Sequence, residues 1–149
     1  MYIRNTSFLK CDFMAELSPP PHAEKTSSGY TWLDEDGVII AVGSSHQLHT
    51  LNHAIENTQI NRKLANGVRI PFLIDMNNVK SMSREAREYY AGPEPNEIIT
   101  AVAILTNSSV GTVVANFFIK LTKPSVPTRM FTSFNEAKTW LLQYKEGNS

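Results

Sequence analysis

Two apolar runs, Ile70-Pro71-Phe72-Leu73-Ile74 and Ile98-Ile99-Thr100-Ala101-Val102-Ala103-Ile104-Leu105, decide the fold class of this 149-residue chain. Neither run alternates polar with apolar residues, so each is expected to be a strand covered on both faces, as parallel strands are. Between them, Ser83 is placed to cap a short helix whose Ala86, Tyr89 and Tyr90 share a face and which Gly92-Pro93 ends. A strand, a helix and a second strand in that order form a crossover unit with parallel pairing. The longer run is expected at the centre of the sheet, and Pro71, having no N–H, places the start of its own strand near an edge or entry.

The same alternation extends in both directions. Upstream, Tyr30-Thr31-Trp32-Leu33 and Val38-Ile39-Ile40-Ala41-Val42 flank the turn residues Asp34-Glu35-Asp36-Gly37, which predicts a β-hairpin. From about His46 to Leu64 the spacing of Leu48, Leu51 and Ile55 is helical, with Asn66-Gly67 supplying a left-handed stop. Downstream, Asn107-Ser108-Ser109 precedes a broad apolar helical stripe running from Val110 through Phe117 to Leu121. Pro127 to Phe131 reads as another strand, and Ser133-Phe134-Asn135-Glu136 as a capping box before a helix that buries Ala137, Trp140, Leu141 and Tyr144. The expected architecture is α/β: a mainly parallel five-stranded sheet with an N-terminal hairpin and about four helices, occupying residues 29–147. Helices on both faces of such a sheet leave no room for a large open cavity. Residues 1–28, with Ser18-Pro19-Pro20-Pro21 and no helical or strand period, read as an extended N-terminal arm, either docked on a neighbour or disordered in part.

Composition narrows the function classes. Lys plus Arg and Asp plus Glu each number 14, so there is no basic excess for neutralising a nucleic-acid backbone. The single cysteine, Cys11, can build neither an internal disulfide nor a multi-thiolate zinc site, which fits a reducing cytoplasm. No apolar run approaches the roughly 18–20 residues of a membrane span.

Few residues suggest chemistry. His46, His49 and His53 fall within about 60° of one another on the expected helix and include an i, i+4 pair, a weak metal candidate. With Leu48, Leu51 and Ile55 opposite, these histidines are expected to face water. The polar loops after the strands, including Asn77, Asn78, Asn107 and Ser108, lie where open α/β sheets bind ligands, yet their residues are also those that helix caps and turns require. Asp75 is expected to accept backbone amides of its own turn. No phosphate-binding loop, dinucleotide fingerprint or nucleophile elbow is present, and neither a cofactor nor a resident metal is expected.

Several phrases carry a family resemblance. Ile74-Asp75-Met76-Asn77-Asn78-Val79 before a Ser-capped helix, and Pro127-Thr128-Arg129-Met130-Phe131-Thr132 before Asn135-Glu136-Ala137 and Trp140-Leu141, resemble the SpoIIAA-like, or STAS-like, group of small bacterial domains. Leu105-Thr106-Asn107-Ser108 with Asn116-Phe117-Phe118 and Lys123-Pro124 is similar to an uncharacterised branch of it. The resemblance implies a right-handed βα superhelix without enzymatic activity. It also implies regulation, since members of the better-known branch antagonise anti-sigma factors through a phosphorylated serine at the second helix. That serine falls on Arg84 or Glu85 here, leaving Ser81 and Ser83 nearby, with Ser83 expected as a cap.

The functional expectation is therefore a non-catalytic, cytoplasmic module that docks an unidentified protein partner, or a second copy of itself, through Ser81, Ser83, Tyr89, Phe117 and the adjoining loops. The alternative is a binding site for a lipid or anion at the C-terminal edge of the sheet, bounded by Asn77, Asn107, Phe117 and Tyr89.

Overall fold

The Asp34 carboxylate accepts hydrogen bonds from the backbone N–H groups of Asp36 and Val38, at 2.9 and 3.0 Å, and Gly37 takes a left-handed φ of 81°. A side chain standing in for a backbone acceptor reverses the chain tightly. It joins β2 (Gly29–Leu33) to β3 (Ile39–Gly43), which pair antiparallel as the hairpin pattern predicts. A Cβ on Gly29 would overlap the Val42 carbonyl oxygen, so the strands meet there only through glycine. The computed structural model describes residues 17–44, 48–107, 116 and 126–146.

Within those residues the main sheet has six strands, one more than the sequence pattern indicates. The additional strand, β1 (Glu24–Thr26), pairs antiparallel with β2, and Leu17 and Ala23 pack on the core. The folded unit therefore begins before Gly29, and residues 17–28 of the expected arm belong to it. After β3 the chain forms β4 (Leu48–His49), α1 (Leu51–Ala65), β5 (Ile70–Asp75), β6 (Ser81–Met82), α2 (Arg84–Ala91) and α3 (Pro93–Asn96). It continues through β7 (Ile99–Leu105), β8 (Thr128–Phe131) and α4 (Phe134–Leu142). The sheet order is β1-β2-β3-β5-β7-β8, with β3, β5, β7 and β8 mutually parallel, while β4 and β6 form a separate parallel pair. The stripe from Val110 to Leu121 lies outside the described residues.

One detail differs from expectation. The central positions belong to β3 and β5, and β7 is next to the edge strand β8. Pro71, fully buried, is the second residue of β5 and so stands at its entry, where the β5–β7 register shifts between Ile70 and Phe72. A residue without an N–H is accommodated in an interior strand at such an irregularity.

Alternation along the strands divides the core. Trp32, Ile40, Leu73, Ala103 and Phe131 meet Phe134, Ala137 and Leu141 of α4 on one face. Ile39, Phe72, Val102 and Ile104 lie on the other with Ala65 of α1. The Ser133 hydroxyl caps α4 by accepting the Glu136 N–H at 3.2 Å. Lys138, one turn into α4, returns to the hairpin, pairing with Asp34 and lying 2.8 Å from Asp36.

Replacing Lys138 with Met is expected to lower the unfolding free energy by about 2 kcal/mol in a urea titration, because the Asp34 side chain, only 12% exposed, loses its cation. Hydrogen bonding and charge from Lys138 hold the Asp36 carboxyl below 3.8. Its contribution is complete above that value and lost as pH falls through the folded-state value. Burial would lower the Lys138 pKa, but the two aspartates outweigh it and raise it above 10.5, so its contribution is lost as pH rises through that higher value. The difference between wild type and variant should shrink at both extremes.

Candidate functional site

The site is assembled around Thr50. Its hydroxyl accepts the His53 N–H, while its own N–H donates to His53 Nδ1 at 3.0 Å, a capping box with histidine at the third helical position. The cap starts α1 at Leu51, later than the expected His46, and makes His49 a strand residue. Pairing of Leu48 with Ser81 and of His49 with Met82, and a 2.9 Å bond from the Ser83 N–H to the His49 carbonyl, hold that short strand against the start of α2.

The histidines consequently do not share a solvent-facing helix side. His46 lies outside the described residues. The His49 and His53 rings are 5.4 Å apart, but His53 Nδ1 is committed to the cap and His49 Nε2 lies 2.8 Å from the Tyr90 hydroxyl. The half-buried His49 ring stacks on Tyr90 instead of pointing to water. Burial, reinforced by the neighbouring His53, brings its pKa down from 6.5 to about 4. Among the described residues, no three His, Cys, Asp or Glu side chains gather as a metal site would require.

Helix α1 meets the sheet through Ala54, Thr58, Asn61 and Ala65, not through Leu48, Leu51 and Ile55. Leu48 precedes the helix and is 50% exposed, while Leu51 and Ile55 are half-buried. The Thr31 hydroxyl on β2 donates to Asn61 Oδ1 at 2.8 Å, and both residues are buried. This helix lies over β1, β2 and β3, and α2 packs against it. Between these helices and the sheet is a cavity of about 130 Å³. The expectation of an interior without room for a cavity is therefore corrected: small and polar residues, rather than bulky apolar ones, face the sheet.

The cavity floor is Ala41, Ile74, Val102 and Ile104, and Met76, Val79 and Met82 also line it. The polar groups are joined in a chain. Asn57 Nδ2 donates to Ser28 Oγ and to the Tyr90 hydroxyl, each at 3.2 Å, and Tyr90 then meets His49. Burial pushes the Tyr90 pKa above its ordinary value, so the phenol stays protonated.

Of the residues singled out from the sequence, Asp75 and His49 line this cavity, and the other described ones lie beside it. Asp75 Oδ1 accepts the Asn77 N–H at 2.9 Å, and Asn77 Oδ1 accepts the Asn107 N–H at 2.5 Å, tying together the ends of β5 and β7. Asn78 is half-buried in that turn. Ser81 is exposed on β6, and the Ser83 hydroxyl accepts the Ala86 N–H at 3.1 Å as the cap of α2. Tyr89 hydrogen-bonds Glu94, and Ser108 and Phe117 lie outside the described residues. The cavity residues missed from the sequence are Ser28, His49 as a group turned from solvent, Asn57, Asn61 and Tyr90. Two signals marked them: Thr50-Leu51-Asn52-His53 as a cap, and the recurrence of small or short polar residues at 54, 58, 61 and 65.

Residues 31–145 match the family described as a domain of unknown function, DUF7793. The chain belongs to that family. No curated protein matches it. Among solved structures it is similar to an uncharacterised protein of the DUF3478 family with a SpoIIAA-like fold from Shewanella loihica PV-4. That likeness has 16% identity and a TM-score of 0.54, covering 85% of this chain and 99% of the other. A protein with unknown function from Arthrobacter sp. FB24 is 30% identical over 74% of this chain and 96% of its own, with a TM-score of 0.28. This DUF7793 domain thus has the SpoIIAA-like fold that the sequence resemblance implies.

In a histidine NMR titration, His49 should remain neutral at pH 5 and protonate near pH 4. Because its folded-state value is depressed, the unfolded chain takes up the proton first. Stability attributable to this residue should fall by on the order of 2–3 kcal/mol as pH drops from 6.5 to 4.

Proposed function

We propose that this DUF7793 domain is a non-catalytic binding module that takes a small, mainly apolar molecule into the cavity beneath α1 and α2. The observation carrying this reading is the cavity itself, about 130 Å³ beside an apolar floor, with polar groups joined at one side. An apolar cavity of roughly 150 Å³ in another protein stays dry and accepts benzene, so this space suits a ring rather than a lipid chain. The polar residues at the strand ends support the non-catalytic part, since Asn77, Ser83 and Ser133 are engaged in finishing backbone hydrogen bonds.

Docking of a protein partner has less support from the surface. Among the described residues, the large apolar side chains that are exposed, Tyr30, Leu48 and Val68, lie on β2, on β4 and in the turn after α1. Scattered singly, they do not make a patch.

Titration with benzene, followed by methyl NMR, is expected to shift Ile74, Ile104, Met76 and Met82 in a saturable way and to leave methyls on the α4 face, such as Leu141, unmoved. Replacing Ala41 with Leu, which fills the floor, should abolish the effect. Unperturbed cavity methyls at saturating benzene would contradict the reading.

A further inference from the structure

We propose that the cavity recognises an uncharged aromatic ring bearing a hydroxyl group, a ligand of the phenol class, with the hydroxyl held by Tyr90 and Asn57. This inference rests on the binding reading above and adds the chemistry of the ligand to it.

Size comes first. A volume of about 130 Å³ is of the size that takes a single ring, since roughly 150 Å³ accepts benzene. Charge comes second. Among the described residues lining the cavity there is no Lys or Arg, and the wall includes Asp75, 2% exposed. An anion entering there would lose its hydration, gain no cation from those residues and meet a buried carboxyl, a costly combination. The expectation of an anion is therefore narrowed to a neutral molecule. The third point is ring chemistry. Met76 and Met82 supply polarisable thioethers, which make favourable contacts with aromatic rings.

The polar end sets the substituent. A tyrosine hydroxyl offers one hydrogen and two lone pairs, whereas the Tyr90 oxygen has Asn57 and His49 as its hydrogen-bond neighbours. The Asn57 carbonyl oxygen receives Ser28 at 3.4 Å, and its amide donates to Ser28 and Tyr90. Counting the described residues, each of these oxygens retains capacity for one further bond, so a ligand hydroxyl can join the chain without breaking it. A ring with no polar group would pack on the floor and leave that capacity unused.

The test uses the full chain with three probes of similar size, phenol, toluene and benzoate, titrated by calorimetry at neutral pH. Phenol is expected to bind roughly five- to tenfold more tightly than toluene, the worth of about one hydrogen bond. Benzoate should give no heat at concentrations that saturate phenol. Replacing Tyr90 with Phe should bring phenol down to the affinity of toluene while toluene is unchanged. Equal affinities for phenol and toluene in the wild type, or benzoate binding as tightly as phenol, would overturn the assignment while leaving the binding reading in place. Failure of toluene and phenol alike would overturn both. The comparison of probes on the wild type needs no variant, so it stands even where Tyr90→Phe fails to fold.

Discussion

The buried hydrogen bond from the Thr31 hydroxyl to Asn61 sets how α1 sits on the sheet. A helix drawn down only by hydrophobic burial would turn its largest apolar residues toward the strands. Here the contact is polar, and its neighbours on the same helix face are Ala54, Thr58 and Ala65. The bond satisfies two groups that would otherwise be expensive to bury, and it fixes the helix over β1 to β3. Short side chains at the remaining contact positions do not reach far enough to fill the adjoining space over β5 and β7. The cavity is thus a consequence of which residues α1 presents, and so is the placement of Tyr90 against it from α2.

A second constraint acts at the start of α1. The Thr50–His53 box ends the short strand holding His49 and begins the helix within one residue. Because β4 is pinned to β6 and to the N-terminus of α2, the His49 ring is delivered to Tyr90 rather than to solvent. Its low pKa is a by-product of that packing, keeping the imidazole neutral inside the polar chain through most of the ordinary pH range. The opposite face of the sheet has a different character. There α4 seats Phe134, Ala137 and Leu141 on Trp32, Leu73 and Phe131, and Lys138 fastens the hairpin turn, giving an apolar core that backs the cavity side.

Most of the sheet was legible because its signals are local. The continuous apolar runs at 70–74 and 98–105, the Asp34 turn, the Asn66 stop with φ 52° and the Ser83 and Ser133 caps each follow from residues close in sequence. What escaped depends on tertiary partners. The β1 strand, Glu-Lys-Thr, has little intrinsic β pattern and exists because β2 offers it an edge. For Pro71 the sequence left edge and entry open, because the register shift that accommodates it at the entry of an interior strand belongs to the pairing with β7. The buried face of α1 escaped because hydrophobic periodicity selects Leu51 and Ile55, whereas Thr31, some thirty positions away, selects Asn61. Tyr89 and Tyr90 could not be told apart by helical position alone, and His49 decides between them.

Diffraction from crystals of the full chain held under xenon pressure addresses the void under α1 most directly, since xenon enters preformed apolar cavities without demanding a particular chemistry. Bound xenon is expected between α1 and the floor made by Ile74 and Ile104, with α1 unmoved and the Thr31–Asn61 bond intact. A sheet face closed over by side chains, with no xenon there, would contradict the cavity and every functional conclusion drawn from it.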